Sequence, residues 1–133
     1  MIQDNSTLAN ILKTFFESRS FTVDCVSNAA DAMSKILRKD YDVLLCEMVT
    51  RQFRGDMFFF AVERTKPHLC GRFVFLVAQK ARAESMELLR IKGSVLVKRP
   101  FRVSKLLELI TEMLKGNSSK IGPEEVGSRQ TTQ

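Results

Sequence analysis

Three short runs of unbroken apolar residues constrain this chain most: Val43-Leu44-Leu45-Cys46, Phe73-Val74-Phe75-Leu76-Val77 and Val95-Leu96-Val97. A strand with one wet face alternates apolar and polar residues. A strand without alternation needs cover on both faces, which a parallel sheet flanked by helices supplies. The intervening stretches carry the helical period. Leu8, Ile11, Leu12, Phe15 and Phe16 mark a first helix after the turn Gln3-Asp4-Asn5, with Asn5 or Ser6 as N-cap. An alternating strand at residues 21–26 leads to Asn28, which can cap a second helix carrying Ala29, Ala30, Met33, Ile36 and Leu37. A third helix is expected over residues 57–66, after Gly55 and stopped by Pro67. A fourth, at 84–91, ends at Gly93, which suits a left-handed cap. The last, at 103–115, presents Val103, Leu107, Ile110 and Leu114 and ends at Gly116.

Such alternation predicts one doubly wound α/β domain. Only Met1, Ile2 and at most Gln3 precede the first loop, so either the first strand is a stub or the sequence begins part-way along a longer one. With 133 residues, 44% of them hydrophobic, the chain can fill one core and not two. Residues 1–115 hold the domain. Residues 116–133 contain two isolated aliphatics and read as a disordered tail or linker.

Composition excludes several classes of function. No apolar run approaches the ~20 residues of a membrane span, and no basic region followed by an apolar stretch marks a secretory signal, so a cytoplasmic protein is expected. Cys25, Cys46 and Cys70 are odd in number and lack metal-type spacing, which predicts buried thiols in a reducing compartment. The net charge of +6 is spread along the chain with no reading helix, so a basic solvated surface is expected and no nucleic-acid site. No glycine loop cradles a phosphate, and His68, the single histidine, has no nucleophile beside it in sequence. No enzyme is predicted.

Parallel sheets put their chemistry at the C-terminal ends of the strands. Three polar segments fall there: Gln3-Asp4-Asn5 after the stub, Glu47 after the run from Val43, and Lys98-Arg99-Pro100 after the run from Val95. The same edge collects Arg51, Arg54, Lys80, Arg82 and Arg102 against Asp4, Glu47, Asp56 and Glu84, a basic rim around an acid.

In order and separation, Asp42-Val-Leu-Leu-Cys-Glu47-Met48 and Leu96-Val-Lys-Arg-Pro-Phe101 resemble the receiver domains of two-component response regulators over residues 1–115. The resemblance implies a flavodoxin-like fold with a five-stranded parallel sheet in the order 2-1-3-4-5, the stub counted first. It also assigns roles. Gln3 and Asp4 stand where receivers carry two Mg²⁺-binding acids, and Glu47 stands where they carry the phosphoacceptor aspartate. Val77 takes the place of a Thr or Ser that bonds the phosphoryl group. Val95 or Leu96 takes the place of an aromatic switch, and Lys98 or Arg99 that of the pocket lysine before the loop proline, Pro100. Lys98-Arg99-Pro100 is one residue longer than the usual Lys-Pro pair.

These substitutions point to a degenerate receiver, or pseudo-receiver. Gln3 removes a ligand charge, Glu47 carries an extra methylene, and Val77 lacks a hydroxyl. No cofactor is therefore expected, and Mg²⁺ binding is predicted to be weak. The function implied is phosphorylation-independent signal transduction through contact with another signalling protein or an output domain, without membrane or nucleic-acid partners. Receivers usually make such contacts, homodimers included, through their fourth helix, fifth strand and fifth helix. Met86, Leu89, Arg90, Lys105 and Glu108 are the candidates here. Two alternatives remain: a receiver phosphorylated at low efficiency, and a module sensing a small anion or nucleotide with its basic rim. As a plain reading beside these, Asp4 is a helix N-cap.

Overall fold

Helices and strands alternate in the order read from the sequence, and the caps explain where the first helices begin. The computed structural model describes residues 1–49, 54–78, 83–121 and 130–132. Helix α1 (Ser6–Glu17) is capped by Asn5, whose side chain accepts from the Leu8 amide at 3.0 Å. Asn28 caps α2 (Ala29–Arg38) in the same way, accepting from Asp31 at 2.8 Å. Each satisfies a donor that the first helical turn leaves without a partner. Asp4 is thus not the cap. Strand β1 (Thr22–Asp24) lies between the two helices, and β2 (Leu44–Glu47) follows α2.

Helix α3 (Gly55–Thr65) begins two residues before its expected start, and Pro67 opens a 3₁₀ segment (Pro67–Arg72) in place of a plain loop. Then come β3 (Phe73–Val77), α4 (Ala83–Ile91), β4 (Val95–Lys98) and α5 (Val103–Ile121). Gly93 has the φ of +97° that a left-handed helix end requires. Gly116 lacks a positive φ, so α5 continues through it instead of stopping. Beyond that point Gln130–Thr132 form β5, parallel to β1. The stretch expected as a tail therefore contains a helical extension and a strand.

Strands β2, β3 and β4 are parallel neighbours in that order. The link to β1 is made by Ile2, which bridges Val26 on one side and Cys46 on the other. Its amide donates to Leu45 O at 2.8 Å, and the Glu47 amide donates to Ile2 O at 3.1 Å. On the other side the Gln3 amide donates to Val26 O and the Val26 amide to Met1 O. With the stub counted first, the order is 2-1-3-4-5.

Strand residues alternate between two cores, as period-two geometry demands. Ile2, Leu44, Cys46, Phe73, Phe75 and Val77 face α2, α3 and α4, where Ala32, Ile36, Phe58, Phe59, Val62 and Leu89 meet them. Met1, Val43, Leu45, Val74, Leu76 and Val97 face α1 and α5, against Leu12, Phe16, Leu106 and Ile110. The buried seam of α5 thus includes Leu106, which the expected face omitted, and Ile11 and Leu37 turn outward at 52% and 59% exposure.

Two local features hold opposite ends of the sheet. Gly55 comes so close to the end of β2 that a Cβ there would lie 2.9 Å from Glu47 O and 3.0 Å from Met48 Cα. Both are backbone atoms. Gly55→Ala is expected to cost about 1–3 kcal/mol, read from the urea midpoint. At the other end, Asp24 accepts from the Tyr41 hydroxyl and pairs with Lys39, both at 2.7 Å. Burial opposes ionisation of Asp24, but Lys39 and Tyr41 outweigh it and hold the carboxyl below its ordinary range. A depressed carboxyl stabilises the fold above its unfolded value of about 3.9, and that contribution fades as pH falls through the folded value. Asp24→Asn should therefore lose about 1 kcal/mol at pH 7. The gap from wild type in thermal melts should close on acidification below pH ~4.

Candidate functional site

Three loops converge at the C-terminal edge of the sheet because parallel strands all end there. Ile2 fixes the neighbouring Gln3 beside β2, and Gln3 is buried. Its side-chain amide is used at both ends: Nε2 donates to Glu47 Oε1 at 2.8 Å, and Oε1 accepts from the Asn5 amide at 3.1 Å. These two bonds also set which end of the amide faces the acid. Glu47 itself is only 8% exposed at the end of β2. A carboxylate so placed needs partners, since leaving an ion buried and unpaired is costly.

Arg99 provides the second partner. Its Nη2 donates to the same Glu47 Oε1, forming an ion pair. The Arg99 amide donates to Val77 O at 2.9 Å, which anchors the loop at the end of β3, and the guanidinium also lies 5.7 Å from the centroid of Phe101. Lys98 is the last residue of β4, opposite Val77, and its side chain is exposed. Of the two candidate cations, Arg99 alone is paired with Glu47. The Arg99–Pro100 peptide is cis. Lys98 completes the strand, and Arg99-Pro100 follows it in the turn. Val95 and Leu96 are both half-buried aliphatics, opposite Val74 and Phe75.

Asp4 is exposed at the rim. Arg54, a rim residue by sequence, makes a bidentate pair with Asp56, through Nε at 3.2 Å and Nη2 at 2.7 Å. Asp56 in turn accepts from the Met57 amide at the start of α3, a favourable place for negative charge. Arg102 is exposed, whereas Arg51, Lys80 and Arg82 lie outside the described residues, as does the Glu84 side chain.

The donor set does not suit Mg²⁺. A hard dication takes near-octahedral oxygen ligands. Here Glu47 Oε1 already accepts from an amide and a guanidinium, and the position next to Asp4 is a neutral Gln3. Among the described residues, no group of three or more His, Cys, Asp or Glu side chains converges.

Two partner-face candidates need correction. Met86 and Leu89 are 6% and 0% exposed, because they are the residues of α4 that pack on the sheet. Among the described side chains of α4, the outward large apolar ones are Leu88 at 44% and Ile91 at 72%, which sequence reading missed. Their offset from Leu89 by one and two positions is the signal that could have found them. Arg90, Lys105 and Glu108 are exposed, each with an ion-pair partner one turn away. His68 lies far from the site in sequence and pairs with Asp40 at 2.9 Å. The thiols are all free. Cys46 is buried, and burial pushes it far above its ordinary range; Cys25 and Cys70 are half-buried and raised for the same reason.

The family model described as the response regulator receiver domain matches residues 1–111. The chain belongs to that family. Among solved structures, the receiver domain of the Francisella response regulator 1452 superposes with a TM-score of 0.76 at 18% identity, covering 87% of this chain and 94% of that one. The adenylate cyclase from Rhodopirellula baltica gives a TM-score of 0.80 at 19% identity, covering 94% and 92%. A third structure, titled as a novel family of redox sensors in the streptococci evolved from two-component response regulators, gives 0.75 at 21% identity, covering 90% of this chain and 51% of that one. No curated protein matches. Receiver domains are in general non-enzymatic signalling modules that contact other signalling proteins or output domains, and typical members bind Mg²⁺ at the phosphorylation site. No helix of the described residues is long and apolar enough to cross a membrane.

The ion pair has a direct consequence for stability. Arg99→Met removes a charged hydrogen bond from a buried acid and should cost about 1–3 kcal/mol, whereas Lys98→Met, on a solvated side chain, should change stability by less than ~0.5 kcal/mol. Chemical denaturation of the two variants beside wild type checks the contrast.

Proposed function

We propose that this receiver signals without phosphorylation, through protein contact, with Glu47 in the phosphoacceptor position held by the chain's own Arg99. The observation that carries this reading is the convergence of the Arg99 guanidinium and the Gln3 amide on one carboxylate oxygen. Phosphoryl transfer depends on a held metal, an aligned acceptor and donors for the transferring oxygens. At these three tasks stand Gln3 with Asp4, Glu47 and Val77. The first pair has one charge where two are usual, the second reaches a methylene too far, and the third has no hydroxyl. The acid that remains is paired to a cation, so the loop before α5 is tied to the sheet by a contact present at all times.

The surface that would use this fixed state is the face formed by α4, β4 and α5. Its exposed members include Leu88, Arg90, Ile91, Lys105 and Glu108, an apolar strip edged by charge of both signs. Such a mixture suits a signalling protein or output domain, or a second copy of the chain. The basic character of the rim agrees with weak Mg²⁺ binding, because a dication would have to displace a guanidinium already in place.

The test is restoration of the acceptor alone. Glu47→Asp, incubated with Mg²⁺ and a small phosphodonor, is expected to stay unmodified by intact-mass measurement, and the same holds for wild type. A labile acyl-phosphate adduct on the single variant would show that the pocket is competent and overturn the reading. The triple change Gln3→Asp, Glu47→Asp and Val77→Thr restores ligand, acceptor and hydroxyl together and is expected to label where the single variant does not.

A further inference from the structure

A strand has two edges, and the line of β1 uses one. The Val26 amide donates to Met1 O at 2.9 Å and the Val26 carbonyl accepts from the Gln3 amide at 3.0 Å, so the peptide groups of Val26 point into the sheet. β5 is on that same inner side, since it also runs beside β2. Peptide groups alternate in direction along a strand, so the N–H and C=O of Cys25 point the opposite way, in the plane of the sheet and off its edge. Among the described residues no strand pairs with this outer edge.

A groove of about 530 Å³ opens there, with Cys25, Val26 and Ser27 as its floor, α1 as one wall and α2 as the other. The helices leave it open because several side chains they turn toward it are short, Ser6 and Ala9 on α1 and Ser34 on α2. Its charge is ordered along its length. The line of β1 ends at the C-terminal edge of the sheet and α2 returns from there, so Asp31 on α2, with Asp4 beyond it, marks the end near Glu47, and Lys35 and Arg38 mark the far end. These α2 positions share one helix face by their spacing. Asp31 accepts from the neutral Asn28 side chain at 3.0 Å, and among the described residues neither Lys35 nor Arg38 is held in an ion pair.

We propose that this edge accepts an extended segment of a partner protein as an added antiparallel strand, with a basic residue toward Asp31 and an acidic one toward Lys35 and Arg38. Outward backbone groups supply the pairing and the two ends of the groove supply the selection. The lengths agree. Asp31 to Arg38 rises about 10 Å along the helix, and two side chains four positions apart on one side of a strand stand about 13 Å apart. Antiparallel pairing is the more stable ladder, and it places the basic residue first in the segment. The strand itself does little to blunt its edge: residues 21–26 include no lysine or proline, and their one charge, Asp24, is engaged by Tyr41 and Lys39. This edge lies across the sheet from β4, so it is separate from the face formed by α4, β4 and α5 and does not depend on how Glu47 is read.

The probe is a peptide with blocked ends, Lys-Thr-Val-Thr-Glu, titrated into the isotope-labelled full chain beside the reversed peptide of the same composition, Glu-Thr-Val-Thr-Lys. Amide shifts are expected at residues 22–27 and 31–38, with the reversed peptide binding at least about fivefold more weakly. No shift with either peptide up to about 5 mM, or equal or tighter binding of the reversed one, overturns the proposal. Cys25→Pro removes the outward N–H and leaves the inward bonds of Val26, so it should fold and bind the first peptide at least about fivefold more weakly. Should the proline variant not fold, the double change Lys35→Gln and Arg38→Gln is expected to weaken the first peptide by a similar factor and to erase its preference over the reversed one. Unchanged affinity in a folded variant overturns the proposal. Shifts of the same amides that depend on protein concentration with no peptide present assign the edge to a second copy and overturn the occupant named here.

Discussion

The hydrogen bonds made by Ile2 hold the whole arrangement together. Remove them and the strands fall into two separate pieces, β1 with β5 and β2 through β4. With them, α1 and α5 cover one face of a continuous sheet and α2, α3 and α4 the other. The same residue also positions the chemistry. Backbone alternation puts Ile2 in the core beneath α2 to α4 and leaves Gln3 at the strand end, beside Glu47. A shift of register by one residue would put a polar amide in the core and an isoleucine at the mouth.

Glu47 then sets what surrounds it. An ionised group almost removed from water requires neutralisation or dense hydrogen bonding. Gln3 supplies a neutral donor and Arg99 a charged one, and both choose the same oxygen. An arginine can do this from the loop before Pro100 because its planar head reaches far and lies over the Phe101 ring while it donates. The rest of the basic rim is less directed. Arg54 is engaged by Asp56 at the start of α3, so its charge is spent on the helix end and not on the pocket.

Most of the fold was legible because it follows from periods and punctuation. Unbroken apolar runs marked β2, β3 and β4, Asn5 and Asn28 marked helix starts, and Gly93 marked a helix end. What failed has physical causes. Gly116 resembles Gly93 in sequence, but a glycine stops a helix only when its backbone turns left-handed, and no side chain announces that. The pairing of Gln130–Thr132 with β1 is a contact across more than a hundred residues, which no local pattern encodes. At the site, Glu47, Gln3 and the loop at Pro100 were readable from strand ends. The choice between Lys98 and Arg99 was not, because it depends on where β4 stops, and strand ends are set by pairing. Met86 and Leu89 were misassigned for a related reason: a short helix with a weak apolar period can be rotated by one position without offending its sequence.

The rotation of α4 bears on what the surface can recognise. With Leu89 against the sheet, Leu88 and Ile91 must face outward, so α4 carries apolar side chains on both sides of its axis. A helix of this kind is not explained by the domain's own core. Isolated exposed aliphatics are ordinary, but two within one turn, next to Glu87, Arg90 and Lys92, form a strip bordered by charge of both signs. Lys92 is tied to Glu63 on α3 and Arg90 to Glu87, which holds the charged border in place while the strip stays open. What this face offers is apolar area with a charged edge. The pocket at Glu47 lies at the C-terminal ends of the strands, and β4 is the element that joins the two. It bears Leu96 toward α2 to α4, Val97 toward α5, and at its end the loop whose Arg99 closes on Glu47. The ion pair and the outward strip of α4 thus lie at the end and along the flank of one strand.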